Sequence, residues 1–137
     1  MGATRARTQK PPQAGVTLDA GALIALERGN RRMIALLREL AASGRLCHIP
    51  SGALAQAWRG GARQGTLARF LRSPQVEVRV LDEASARACG ELCSAAGTKD
   101  VVDASVVLVA REHGDAIITS DPRDLRRLDP SATIEKV

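Results

Sequence analysis

Four aspartates, Asp19, Asp100, Asp103 and Asp121, stand where folding could gather carboxylates into one site. Asp19 follows the apolar run Val16-Thr17-Leu18 and precedes the run from Ala20 to Leu26, so it falls where a buried strand ends and a helix begins. Asp121 falls at the equivalent place after the run from Ala116 to Thr119, with Pro122 behind it. If those two strands are neighbours, both carboxylates lie on one rim of a sheet. Asp100 and Asp103 are three positions apart at the head of a Val-rich segment, which puts them on one helical face, near a helix amino terminus that favours negative charge. Each residue alone has a plain reading as a helix cap or a partner of the helix dipole. Their convergence would not be plain, because two unit charges ~6 Å apart repel by roughly 3 kcal/mol at an effective dielectric of about 20. A hard divalent cation relieves such a cluster. Oxygen donors without histidine point to Mg²⁺ or Mn²⁺ rather than Zn²⁺, and such ions assist phosphodiester hydrolysis.

The elements that must position these groups can be read from periodicity. Val16 to Leu18 and Leu46 to Ile49 predict buried strands, and Val76, Val78 and Val80 alternate with Glu77 and Arg79 as a half-exposed strand does. Asn30 caps a helix carrying Ile34, Leu37 and Leu40 at helical spacing, and Gly44 stops it. A helix is expected from Gly52 to about Arg59 and a short one around Leu67 to Leu71. Asp82 caps a helix to about Ala96, and another runs from about Asp100 to His113. Ala116 to Thr119 is a strand, Asp121-Pro122 opens a last helix, and Thr133 to Val137 can add an edge strand. Strands alternating with helices imply parallel crossovers and an α/β fold, a three-layer α/β/α sandwich around a mainly parallel sheet. Ligands bind such sheets beyond the carboxyl ends of the strands, where strand order reverses.

The chain, 137 residues long, is expected to form one domain over 15–137 behind a disordered basic tail over 1–14 that has no apolar stretch and is no secretory signal. Trp58 and Phe70 are the only aromatic residues besides two histidines, so a base-stacking platform of several aromatic faces is excluded. The net charge of +5 favours a polyanionic partner without dictating a fold. Arg59, Arg63, Arg69 and Arg72 are candidates for RNA phosphate contacts, though a charge run is more commonly a solvated face. No apolar stretch reaches the roughly 18 residues of a membrane span. Three cysteines, Cys47, Cys89 and Cys93, match no zinc spacing and read as buried reduced thiols of a cytoplasmic protein; His113 reads as a cation at a helix end.

Three blocks of the chain resemble the PIN-domain family. The segment from Val16 to Glu27 looks like its opening strand and helix. Asp100-Val101-Val102-Asp103-Ala104 resembles its third block, and Ile117-Ile118-Thr119-Ser120-Asp121-Pro122-Arg123-Asp124-Leu125 its closing block. They occur in order, and the resemblance extends from about Gly15 to Val137. VapC-type toxins are the most similar subgroup by size and by the closing T-S-D-P-x-D-L. The resemblance implies Mg²⁺- or Mn²⁺-dependent endoribonuclease activity on structured RNA such as tRNA or rRNA. It also implies a homodimer, and a small antitoxin that packs on the second to fourth helices and sends a basic residue into the site. By position, Asp19, Asp103 and Asp121 would be the catalytic, metal-holding carboxylates, with Asp100 assisting and Thr119, Ser120 and Asp124 in support.

One departure stands out. The family carries Glu in a pattern like L-A-E-x-x-R-G, and here the segment is Leu54-Ala55-Gln56-Ala57-Trp58-Arg59-Gly60. Gln56 keeps an acceptor oxygen but lacks the charge and any role as a general base. An alternative is therefore a weakened module that acts by binding RNA or antitoxin. Other enzyme classes fit less well: a haloacid-dehalogenase-type phosphatase needs Asp where Gly21 stands, and a receiver domain needs an acidic pair after the first strand and a Lys after the last.

Overall fold

A computed structural model describes residues 14–137; apart from Ala14, the expected basic tail lies outside the described residues. In chain order the elements are β1 (Val16–Leu18), α1 (Ala20–Glu27), α2 (Arg31–Ser43), β2 (Cys47–Pro50) and α3 (Ser51–Ala57), then a 3₁₀ turn (Ala62–Gln64) and α4 (Gly65–Leu71). There follow β3 (Val76–Arg79), α5 (Glu83–Ala96), α6 (Val101–His113), β4 (Ala116–Thr119), α7 (Arg123–Leu128) and β5 (Ile134–Lys136). No helix among the described residues is long and apolar enough to cross a membrane.

The strands form one parallel sheet in the order β3-β2-β1-β4-β5. From β1 the chain steps outward to β2 and β3, then returns across β1 to add β4 and β5. Strand order therefore reverses at the β1–β4 junction, where Val16, Thr17 and Leu18 pair with Ala116, Ile117 and Ile118. The carboxyl ends of these two strands open the crevice at which an α/β sheet binds ligands.

Two cores sandwich the sheet. On one side Leu18, Leu23, Met33, Leu40 and Ile49 pack with Ile118; on the other Val106, Val107, Leu125 and Leu128 pack with Ile117. Ile117 and Ile118 are neighbours in β4 and project to opposite faces, as successive strand residues must. Because both faces are covered, the central strands are apolar runs without alternation. The third strand is different: at the sheet's edge β3 exposes Glu77 and Val78 side by side, without the expected alternation, and Val80 is exposed beyond the strand's end at Arg79.

Caps fix where the helices start. Asn30 Oδ1 accepts from Met33 N (2.9 Å) and Asp82 Oδ1 from Ser85 N (2.8 Å). The helix expected to reach Arg59 stops at Ala57, because Trp58 is extended and both Gly60 and Gly61 have positive φ. The 3₁₀ turn was not foreseen. Its Gln64 is buried and closes the loop: Oε1 accepts from Arg59 N and Gly60 N, and Nε2 donates to Ala57 O, each at 2.8 Å.

Candidate active site

Asp19 leaves β1 and caps α1, its Oδ1 accepting from Ala22 N at 2.9 Å. Its Oδ2 accepts from the hydroxyl of Thr119, the last residue of β4. The carboxylate is thus clamped across the strand junction, and it is almost wholly buried. Burial pushes its pKa up, outweighing the bonds from Thr119, Ala22 and Gly21, and the charge of Asp121 pushes the same way. Gly21 lies close against the turn after β4: a Cβ there would stand 2.3 Å from Ser120 Oγ and 3.3 Å from Ser120 N, so a larger residue would turn the Ser120 side chain away from the cavity.

Asp103 enters from α6, in the first turn, and its backbone N–H is capped by Asp100 Oδ1 at 3.0 Å. Burial first, then the charge and hydrogen bond of Asp100, then the charges of Asp19 and Asp124 raise its carboxyl to about 7. Asp121 meets the reverse situation. It is exposed, and Arg123 Nε and a terminal guanidinium nitrogen lie 3.3 and 3.4 Å from its two oxygens. Those bonds hold its carboxyl below the usual value. Carboxylates pushed in opposite directions within one cleft are a mark of functional sites.

These groups share one cavity of about 170 Å³, lined by Asp19, Gln56, Asp103, Thr119, Ser120, Asp121 and Asp124 among others. Seven of the eight residues expected at the acidic rim are therefore together. The eighth, Asp100, caps α6 and acts on the cavity only through Asp103. No three of the rim carboxylates close to within 4.8 Å of one another, in keeping with Asp121 being turned to Arg123. The donors that face the cavity are all oxygens, Gln56 contributing an amide, which fits a hard divalent ion such as Mg²⁺ or Mn²⁺. The raised carboxyl of Asp103 fits as well: it is partly buried, and the charges of Asp100, Asp19 and Asp124 add to the crowding.

Gln56 also lines a second, more open groove of about 500 Å³ that holds Arg28, Arg59 and Arg63. The acidic cavity thus adjoins a basic one, with Gln56 on the wall between. Arg28 was not anticipated, because it follows the first helix and stands apart from the arginine run. Arg69 and Arg72 are exposed but line neither space. Trp58 is 41% exposed beside this region and belongs to neither core. A separate cavity of about 320 Å³ between β3, α5 and α6 contains none of the rim carboxylates.

A different cluster escaped sequence reasoning. His48, His113 and Asp115 meet at the amino-terminal end of the sheet, His48 Nδ1 lying 2.6 Å from Asp115 Oδ2. Its members are far apart in the chain and match no motif. All three cysteines are buried and free, as expected.

A family model described as "PIN domain" matches residues 16–130. Among curated proteins, no sequence match was found. Solved structures share the fold. VapBC2 from Rickettsia felis, bound to a DNA fragment from their promoter, superposes with a TM-score of 0.66 at 18% identity, over 89% of this chain and 98% of that one. FitAB bound to an IR36 DNA fragment superposes with a TM-score of 0.62 at 16% identity, over 88% of this chain and 94% of that one.

Proposed function

This chain belongs to the PIN-domain family, and on that footing we propose that it is a metal-dependent endoribonuclease, the toxin of a cytoplasmic toxin–antitoxin pair. The observation that carries the reading is the shared cavity of Asp19, Asp103 and Asp121 at the point where strand order reverses. Asp19 and Asp103, with Asp121 once it is released from Arg123, would hold Mg²⁺ or Mn²⁺. When bound, such an ion offsets the crowded carboxylates and stabilises the negative charge that builds on a phosphodiester as it is cut.

The chain's own groups do the rest. Thr119 and Ala22 fix the Asp19 carboxylate so that one orientation faces the cavity. Ser120 presents an exposed hydroxyl at the cavity rim to the RNA backbone. The groove of Arg28, Arg59 and Arg63 receives phosphates on the flank of the cut, so affinity should fall steeply with salt. The substrate class is structured RNA such as tRNA or rRNA. A small antitoxin covering the helices beside the site and placing a basic side chain near the carboxylates would silence it, and a homodimer is the expected assembly. The fold shared with VapBC2 and FitAB supports this reading.

Gln56 favours a second reading. It faces the cavity where the family carries Glu, so the site has one charge fewer to hold an ion. The chain would then act by binding RNA or antitoxin. Incubation of RNA with Mg²⁺ or Mn²⁺ separates the two. For a nuclease, the native chain cuts, and Asp19→Asn lowers the rate by at least ~100-fold, the scale of a lost electrostatic group in a catalytic site. Binding without cutting, with cutting gained in Gln56→Glu, favours the second reading. Cutting that survives Asp19→Asn would sink the assignment of this site.

A further inference from the structure

The last helix carries a charge pattern that the acidic cavity does not use. Its residues run Arg123-Asp124-Leu125-Arg126-Arg127-Leu128. Leu125 and Leu128 are buried in the core with Val106 and Val107, while Arg123, Arg126 and Arg127 are exposed. Positions three and four apart share a helical face, so the three arginines stand together on the side away from the core. We propose that this face of α7, with Lys136 of β5, is a second phosphate-binding surface for RNA, on the other flank of the acidic rim from the groove of Arg28, Arg59 and Arg63. The choice of RNA as occupant rests on the ribonuclease reading above; the surface itself does not.

Position puts this face beside the cavity. Arg123 Nε and a terminal guanidinium nitrogen lie 3.3 and 3.4 Å from the two oxygens of Asp121, which lines the cavity, as does Asp124 on the same helix. Lys136 ends β5 opposite Thr119, the residue that ends β4 and bonds to Asp19. Hydrogen bonds from Arg123, and more weakly the charge of Lys136, hold the Asp121 carboxyl below its usual value, so both cations are felt at the rim. Arg126, Arg127 and Lys136 are exposed, and among the described residues none of them is in an ion pair. Like charges left together repel, and a polyanion relieves them.

The two basic surfaces belong to opposite helical layers. Arg28 closes α1, whose Leu23 and Leu26 pack in the core on one side of the sheet, whereas α7 packs in the core on the other. The carboxylates lie on the rim between these layers. An RNA that bridged both surfaces would cross the rim with phosphates held on either side of the cavity. The rim itself is acidic and repels phosphates, so backbone charge has to be met beside the cavity. Guanidinium groups suit that task, because their planar fork matches phosphate oxygens in pairs.

Fluorescence anisotropy of a labelled RNA hairpin with single-stranded flanks, in chelator so that nothing is cut, reads this surface. The full chain is compared with Arg126→Gln/Arg127→Gln, circular dichroism confirming the fold. Arg69→Gln/Arg72→Gln is the control, since it removes the same charge from exposed arginines that line neither space. Losing two phosphate contacts on α7 should weaken binding about tenfold at low salt and flatten the slope of log K against log[salt] by roughly 1.4 to 1.8. The control pair should stay within about twofold of native, because distant exposed charge is screened. Adding Arg59→Gln/Arg63→Gln to the α7 pair should multiply the two losses, as for independent sites. A native chain that binds no RNA overturns this proposal and the ribonuclease reading together. Native RNA binding with an unchanged slope in the α7 variant, or an equal loss in the control pair, overturns this proposal alone and leaves the face to an acidic protein partner.

Discussion

Asp103 and Asp121 have the same side chain and face the same cavity, yet one is pushed up to about 7 and the other down. The difference lies in their neighbours. Asp103 is partly buried beside Asp100, Asp19 and Asp124, while Asp121 is open to water and paired with Arg123. A consequence for stability follows. With a folded-state value of about 7 against an ordinary 3.8, Asp103 keeps its proton in the folded chain where the unfolded chain has lost it. Its stabilising contribution is complete below about pH 3.8 and is lost as the pH rises through about 7. In chelator, scanning calorimetry should therefore find that the native chain loses more stability across that window than Asp103→Asn does. Mg²⁺ or Mn²⁺ should raise the native midpoint more above the window than within it. Parallel pH curves for the two proteins would count against the crowding described at Asp103. At this scale the sequence was legible for carboxylates that sit at strand ends, since strand-then-Asp-then-helix fixes where they point. It was not legible for Arg123 as a partner of Asp121, nor for Asp115, whose contacts with Thr17 and His48 cross 98 and 67 positions.

Among the elements, those with a strong local signal lie where periodicity and caps placed them. Asn30, Asp82 and Asp100 each accept from the backbone N–H three residues on, and Gly44, Gly97 and Gly114 close their helices in the left-handed region. The segment after α3 gave no such signal. Its conformation is set by Gln64, a polar residue in a basic stretch that reads as a solvated face, and whose burial depends on packing from elsewhere. That single side chain makes three hydrogen bonds to the loop bearing Arg59. Gln64→Ala leaves two backbone N–H groups and a carbonyl without that partner, at a cost of about 1–3 kcal/mol. Denaturant unfolding should register that loss. RNA affinity should fall with it, because the groove of Arg59 and Arg63 loses its anchor. A variant with native stability and native RNA binding would show that the loop is held by something other than Gln64.

For the whole molecule, the fold class could be read from strands alternating with helices, but the strand order could not. Nothing local says that β4 joins β1 rather than β3; that choice is made by burying Ile117 and Ile118 on opposite faces between two cores. Once β4 lies beside β1, Asp19 and Thr119 are brought into hydrogen-bonding contact and α6 delivers Asp103 to the same rim. The return helix also carries His113 to the far end, where it stacks on His48. The basic groove beside the acidic cavity completes the surface on which the proposed nuclease would bring an RNA backbone and a cation together.

Anomalous diffraction from crystals soaked in Mn²⁺ tests the centre of this account most directly. A peak is expected among the oxygens of Asp19, Asp103 and Asp121, absent in Asp19→Asn crystals. A map with no peak there would contradict it.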